Sequence, residues 1–172
     1  MIEFDGQIEQ LATTHDRRNF SCGEPALDDY LRRLARQHAE SKISRTYVAA
    51  KGNRIWGYYS LSMSAIRQEQ LPEKYQKRFP NYPIPVARLV RLSVDQREQG
   101  KGLGKLLLMD ALYRCHRLSD EIGSVGVVVD AKHARAQNFY RLFNFEEFPD
   151  TLMTLWLPIA AIAGLFEKSR GT

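Results

Sequence analysis

Apolar and polar residues come in blocks along this chain, and the period of the blocks changes from one to the next. Residues 8–11 have strand spacing and lead into a polar turn at 13–18. From Pro25 the period lengthens. Ala26, Leu27, Tyr30, Leu31, Leu34, Ala35 and His38 form one apolar stripe, which predicts an amphipathic helix. Pro25 suits the first helical turn, Glu24, Asp28 and Asp29 lie near the start, and Arg32, Arg33 and Arg36 come later, as the helix dipole favours. His38, at the end of the stripe, reads as a packed histidine at the surface edge rather than a ligand.

Further along, residues 46–51 read as a strand, Gly52-Asn53 as a tight turn and 55–65 as the hairpin partner. Alternation puts Ser60, Ser62 and Ser64 on one face of that partner with Trp56 and Tyr58. This polar lane fits a binding cleft or an exposed sheet face equally well. Residues 68–79 predict a short basic helix stopped by Pro80, Pro83 and Pro85, which make 80–85 an extended loop. A strand over 86–94 then passes into a polar loop and a leucine-rich helix over 102–119. The continuous apolar run 125–131 predicts a strand covered on both faces. A second helix over 133–143, a closing hairpin of 145–148 and 153–157, and the tail PIAAIAGLF complete the chain. This β–α–β–β–β–α–β–α–β–β order predicts an α/β protein with a mixed sheet and helices on both faces.

Composition changes this picture little. The 172 residues, 44% hydrophobic and 26% charged, suit one globular domain over 1–172. No apolar run approaches the ~20 residues that span a bilayer. The acidic start MIEFDGQIEQL does not resemble a signal peptide, so a cytoplasmic protein with no membrane partner is expected. Cys22 and Cys115 lie outside any metal or redox spacing, so reduced thiols and no metal site are expected. Charge placement is more informative than the net +5. Residues 67–105 hold nine basic and four acidic side chains, leaving sixteen of each elsewhere. The excess positive charge therefore surrounds the glycine-rich loop, as a solvated face, a cofactor site or a larger polyanionic partner would each require.

The loop itself reads Gln99-Gly100-Lys101-Gly102-Leu103-Gly104 between strand and helix. A strand feeding a Gly-rich turn that opens a helix leaves backbone N–H groups pointing outward, which suits a phosphate or pyrophosphate. It matches neither G-x-G-x-x-G nor G-x-x-x-x-G-K-[ST]. Q-x-x-G-x-G after a strand ending Val-Asp resembles the acyl-CoA pyrophosphate loop of the GNAT acetyltransferases. The resemblance implies a GNAT fold, with a mostly antiparallel mixed sheet and a strand pair splayed to admit pantetheine. It also implies acetyl-CoA as cosubstrate, with Gln99, Gly100, Lys101, Gly102, Leu103, Gly104 and Lys105 at the pyrophosphate and backbone groups of Leu92, Ser93 and Val94 along the pantetheine arm. The segment 136–145 is similar to the family's A-x-x-F-Y-x-x-x-G-F, with Asn144 in place of the usual glycine. That implies contact of Asn138 with the CoA arm and of Tyr140 with the sulfur, where a phenol donates a proton to the departing thiolate.

The strand 86–94 offers no carboxylate, and Asp95 comes only at its end. Many family members that act on lysine place a Glu there. A lysine amine (pKa ~10.4) needs a base at neutral pH, whereas an α-amine (~7.7–8.0) is already partly free. An α-amine acceptor is therefore expected, unless an acid elsewhere, such as Glu40 or Asp130, serves as base. Phe20-Ser-Cys-Gly-Glu-Pro-Ala-Leu-Asp-Asp-Tyr-Leu31 resembles the opening of the GNAT toxins of bacterial toxin–antitoxin pairs. Matching pieces continue at Arg91-Leu-Ser-Val-Asp95 and Asp110-Ala-Leu-Tyr-Arg114. This likeness implies acetyl transfer to the α-amine of aminoacyl-tRNA, a ribbon-helix-helix antitoxin, operator DNA bound through the toxin–antitoxin complex, and a homodimer. Lys74, Lys77, Arg78, Arg88 and Arg91 are the candidate tRNA-phosphate contacts. The alternatives are a GNAT enzyme acting on a small amine or protein N-terminus, and a catalytically silent regulator that binds antitoxin and DNA.

Overall fold

The computed structural model describes the backbone of residues 4–170 and side chains of residues 4–167. Seven strands form one sheet: β1 (Gln7–Gln10), β2 (Arg45–Lys51), β3 (Arg54–Ile66), β4 (Ile84–Val94), β5 (Gly126–Asp130), β6 (Glu146–Glu147) and β7 (Thr154–Pro158). Their order is β1-β2-β3-β4-β5-β7-β6. The β4/β5 ladder is parallel, while β1/β2, β2/β3, β5/β7 and β6/β7 are antiparallel. This is the mixed, mostly antiparallel sheet of a GNAT-like fold. The last rung between β4 and β5 is Leu89↔Val129, and β4 runs five residues beyond it to Val94. Strand β5 itself ends one residue past that rung, at Asp130.

The chain divides into two compact units, 1–62 with 90–111 and 63–89 with 112–172. In the first, Phe20, Tyr30, Leu31, Ala35, Val48, Ala50, Ile55 and Tyr58 form the core. Its buried phenols are satisfied: Tyr58 donates to the Leu27 carbonyl (2.7 Å), and Tyr30 shares a hydrogen bond with Ser44 (2.8 Å). In the second, Ile66, Leu71, Tyr75, Ile84, Val86, Val128, Phe148 and Trp156 pack together, with Tyr75 edge-on to Trp156 at 4.9 Å. The long helix α4 (Leu103–Glu121) begins in the first unit and ends in the second.

Several elements differ from the sequence expectation, each for a local reason. The N-terminal helix is α1 (Pro25–Asp29), a π-helical turn (Tyr30–Leu34) and α2 (Ala35–Glu40). The Ala35 N–H reaches back to the Tyr30 carbonyl, so the turn holds one residue more than an α-turn. The extra residue rotates the remainder of the helix by roughly 100°, leaving Leu34 42% exposed while Leu31 and Ala35 are fully buried. The expected basic helix at 68–79 is a 3₁₀ turn (Gln68–Gln70) and a four-residue α3 (Glu73–Gln76). Leu71 precedes Pro72 and is driven into extended backbone, which breaks the helix and buries the leucine. Strand β4 starts at Ile84, before Pro85, whose carbonyl accepts from the Val125 N–H (2.9 Å). The apolar tail is helix α6 (Ile159–Arg170), entered directly from Pro158. The serine lane closes on its neighbours. Ser60 is fully buried against Thr46 (2.6 Å), and Ser62 donates to the Ile43 carbonyl (2.7 Å). His38 packs edge-on against Tyr30, 5.5 Å between ring centres.

The π-helical turn has a direct consequence for stability. Leu31→Ala should cost about 2–5 kcal/mol and Leu34→Ala under about 1 kcal/mol in urea unfolding. Equal losses would mean that Leu34 faces the core.

Candidate active site

The loop after β4 is built outward from one buried carboxylate. Asp95 is 1% exposed and accepts from the backbone N–H of Ser21 (3.2 Å) and of Arg97 (2.9 Å). The Arg97 guanidinium adds two more bonds, from Nε (3.0 Å) and Nη2 (3.2 Å). Burial works against the charged form, but the hydrogen bonds from Arg97 and the two backbone amides outweigh it and hold the Asp95 carboxyl below its ordinary value. Asp95 thereby starts the 3₁₀ turn Gln96–Glu98. The D-x-x-E spacing of Asp95 and Glu98 is a helix-start signal visible in the sequence. Glu98 is also buried, and its carboxylate takes Arg54 (2.7 Å) and Lys101 (3.1 Å). Burial of Glu98 is again outweighed by those two cations, and its pKa lies below the usual carboxylate value.

Gly100 (φ +79°) and Gly102 (φ +85°) both occupy the left-handed region, which residues with a Cβ rarely adopt. A Cβ built at Gly100 meets nothing within 4 Å, so the loop surface is open there. The Leu106 N–H bonds the Gly102 carbonyl (3.2 Å), and the amides of Leu103, Gly104 and Lys105 precede the first full turn of α4. This is the geometry that binds a pyrophosphate through main-chain donors. Two side chains of the loop bond within the protein. Gln99 Nε2 donates to the carbonyls of Cys22 and Val94 (2.9 Å each), and Lys101 rests on Glu98, so both are engaged within the protein. Leu103 is buried and Lys105 exposed. On β4, Leu92 and Val94 are half-buried and Ser93 is 5% exposed. The Ser93 hydroxyl has no partner of hydrogen-bonding geometry; burial raises the nearby Cys22 thiol pKa, and the Ser93 hydroxyl works against that shift. An orphaned buried hydroxyl on this strand fits a site for a polar arm such as pantetheine.

In the second unit, helix α5 (Ala134–Arg141) carries Asn138 and Tyr140. His133 caps it, its ring accepting from the Ala136 N–H (3.1 Å). Asn138 is exposed and accepts from Arg141 (3.0 Å), which is also paired with Glu147. Tyr140 is 6% exposed, its ring against Phe139 (5.3 Å) and Phe145 (5.4 Å), and burial pushes its phenol well above the ordinary value. Asn144, where the family has glycine, adopts φ +68° just past the helix end. Asparagine tolerates that conformation better than most residues, so the departure keeps the motif's backbone.

Residues 42–147 match the family model for the acetyltransferase (GNAT) domain. The chain belongs to the GNAT acetyltransferase family. It is an acyl-CoA-dependent N-acetyltransferase, and acetyl-CoA is its acyl donor. A tRNA-acetylating toxin of Mycobacterium tuberculosis (strain ATCC 25618 / H37Rv) is 38% identical over 148 residues, 86% of this chain and 89% of that protein. The structure of AtaT complexed with acetyl-methionyl-tRNAfMet superimposes with a TM-score of 0.87 at 31% identity, over 94% of this chain and 99% of that one. A tyrosine-to-phenylalanine variant of the AtaT toxin, bound to the C-terminus of the antitoxin AtaR and acetyl-CoA, gives 0.81 at 28% over 95% and 99%. The KacTA–DNA complex gives 0.80 at 28% over 94% and 98%.

In this acetyltransferase, each carboxylate considered as a base already holds a cation. Glu40 pairs with Arg36 (3.6 Å), and Asp130 pairs with Arg88 (2.5 Å) and accepts from Thr154 (2.7 Å). Asp110, part of the toxin-like piece 110–114, accepts from the buried Tyr59 hydroxyl (2.5 Å). The basic candidates divide. Lys77 and Arg78 are exposed, with Arg78 over the Tyr75 ring at 5.4 Å. Lys74 is exposed but paired with Glu146 (2.9 Å). Arg88 is tied to Asp130, and the Arg91 guanidinium lies 3.8 Å over the Tyr30 ring. Among the described residues no cluster of His, Cys, Asp and Glu can hold a metal, both cysteines are free, and no helix is long and apolar enough to cross a membrane.

The depressed Asp95 pKa makes a signed prediction. Its contribution to stability is present above the ordinary value of 3.8 and is lost as pH falls through the lower folded value. Asp95→Asn should destabilise the protein at neutral pH, and the gap from wild type should close below pH 3.8 in denaturant titrations. A gap that persists unchanged in acid would show that the charge is not what Asp95 contributes.

Proposed function

We propose that this protein is a toxin that transfers acetyl from acetyl-CoA to the α-amine of aminoacyl-tRNA and so blocks translation and growth. The observation that carries the reading is likeness over most of the chain to a tRNA-acetylating toxin and to AtaT bound to its acetylated tRNA. The whole chain acts as one acetyltransferase domain. The main-chain donors of Gly100–Lys105, with Gln99 bracing them, hold the pyrophosphate, and the backbone of Leu92, Ser93 and Val94 lies along pantetheine, with Asn138 touching the same arm. The α-amine nitrogen attacks the thioester carbonyl, a C–N bond forms, the C–S bond breaks, and the thiolate leaves. Tyr140 protonates that sulfur, and the one proton lost by the nitrogen restores the phenol.

Two features support an α-amine. An aminoacyl ester needs little help from a base, and the carboxylates above are engaged with cations or, for Asp110, with a tyrosine hydroxyl. A phenol whose pKa burial raises stays protonated through the neutral range, as an acid must before the sulfur departs. Lys77 and Arg78, exposed on the basic segment, are the leading tRNA-phosphate contacts, with Lys74, Arg88 and Arg91 more constrained. Relatives captured with antitoxin and with DNA support an antitoxin partner, which we assign to the ribbon-helix-helix class, and operator binding by the pair. A homodimer in the cytoplasm, where charged tRNA is found, completes the reading. The pairing of Lys74 and Arg88 with acids favours a second reading, in which the basic segment is largely neutralised and the acceptor is a small amine or a protein N-terminus.

Labelled acetyl-CoA offered with charged tRNA, free amino acids and peptides separates these readings. Label confined to the aminoacyl ester is expected, and label on peptides or free amines alone would refute the tRNA reading. Expression of Tyr140→Phe should relieve growth arrest while acetyl-CoA affinity stays at the wild-type level. Undiminished arrest would remove Tyr140 as the acid.

A further inference from the structure

The segment Phe20-Ser-Cys-Gly23 marks the toxin-like opening of the sequence, yet the acetyl transfer itself does not use it. In the structure it is fastened to the loop after β4, bond by bond. Ser21 donates its N–H to Asp95 (3.2 Å), and its carbonyl accepts from the Gln96 N–H (2.8 Å). The Cys22 carbonyl accepts from Gln99 Nε2 (2.9 Å), which also donates to the Val94 carbonyl. The Asn19 carbonyl accepts from Arg97 Nη2 at 3.5 Å. Gly23 closes the segment at φ +95°, and a Cβ there would lie 2.8 Å from Gln96 Nε2. The far side is anchored too, because the Cys22 N–H donates to the buried carboxylate of Asp28 on α1 (2.9 Å).

We propose that residues 19–23 are a positioning element for acetyl-CoA binding, and that the Gln99 side chain acts through them rather than on the phosphates. The inference rests on the reading that Gly100–Lys105 holds the pyrophosphate. Both carbonyls on Gln99 belong to the protein, so its amide fixes where the loop leaves β4, and the glycine amides beyond it inherit that placement. Gly23 permits the contact by holding a left-handed backbone (φ +95°) that a residue with a Cβ rarely adopts. Preorganised donors bind an anion without first having to be ordered, so loosening their support weakens affinity without touching the ligand.

The test is a double-mutant cycle on acetyl-CoA affinity, read by calorimetry, with hydrogen exchange of residues 96–105 in the unliganded protein. Gly23→Ala and Gln99→Ala should each raise Kd about tenfold, the scale of a lost hydrogen bond that places the loop. The double variant should be no weaker than either single one, because both remove the same support. Exchange across 96–105 should quicken in both, and Gly23→Ala should raise KM for acetyl-CoA while keeping kcat within about twofold. If Gly23→Ala fails to fold, Gly23→Asn, which tolerates a positive φ better, gives a milder strain at the same position and a smaller shift in the same direction. Wild-type affinity and exchange in the Gly23 variant, or additive losses in the double variant, would overturn the proposal. Gly102→Val separates the two claims. Unchanged affinity there overturns the pyrophosphate reading and this inference with it, whereas weakened affinity beside an unaffected Gly23 variant overturns the positioning role alone.

Discussion

The buried carboxylate of Asp95 is the constraint on which the rest of the first unit depends. A charge 1% exposed is tolerated only because Arg97 and two backbone amides satisfy it. That requirement ends β4, turns the chain into the 3₁₀ segment and draws the Ser21 backbone alongside. Glu98 repeats the logic three residues on and gathers Arg54 and Lys101. Between these two anchored acids and the start of α4 lie only Gln99 to Gly102, and their conformation is consequently prescribed. The two left-handed glycines are the solution.

The uncompensated positive charge of the chain is smaller than a count of basic residues indicates. Lys101 and Arg54 share Glu98, Arg97 faces Asp95, Arg88 faces Asp130 and Lys74 faces Glu146. Under the proposed reading, the donors offered to a phosphate are main-chain N–H groups held in place by compensated side chains. Such donors cannot be titrated away near neutral pH, and they cost no side-chain entropy when they bind. Lys77 and Arg78, in the second unit, remain exposed.

Much of the fold could be read from the sequence because its signals were local and periodic. The hairpin at Gly52-Asn53, the apolar run of β5, the helix after Gly102 and the left-handed Asn144 all stem from residue type and spacing. The differences arise where one residue changes the register. The extra residue in the π turn exposes Leu34, and Pro72 splits a helix that composition alone would continue. The left-handed turns of the loop were readable from its glycines, but the contacts of its side chains were not. Gln99 and Lys101 carry phosphate-binding chemistry in isolation. Their actual partners, Cys22, Val94 and Glu98, are set by tertiary contacts, and in the case of Cys22 by a segment 77 positions away in the chain.

The most direct measurement compares the wild-type protein's affinity for acetyl-CoA and for acetyl-pantetheine, which lacks the pyrophosphate and adenosine, by calorimetry at low and high salt. If main-chain amides at Gly100–Lys105 grip the pyrophosphate, acetyl-CoA binds at least about tenfold more tightly, and most of that margin survives high salt because few free cations contribute. Equal affinities, or a margin that vanishes with salt, would contradict a preorganised backbone cradle.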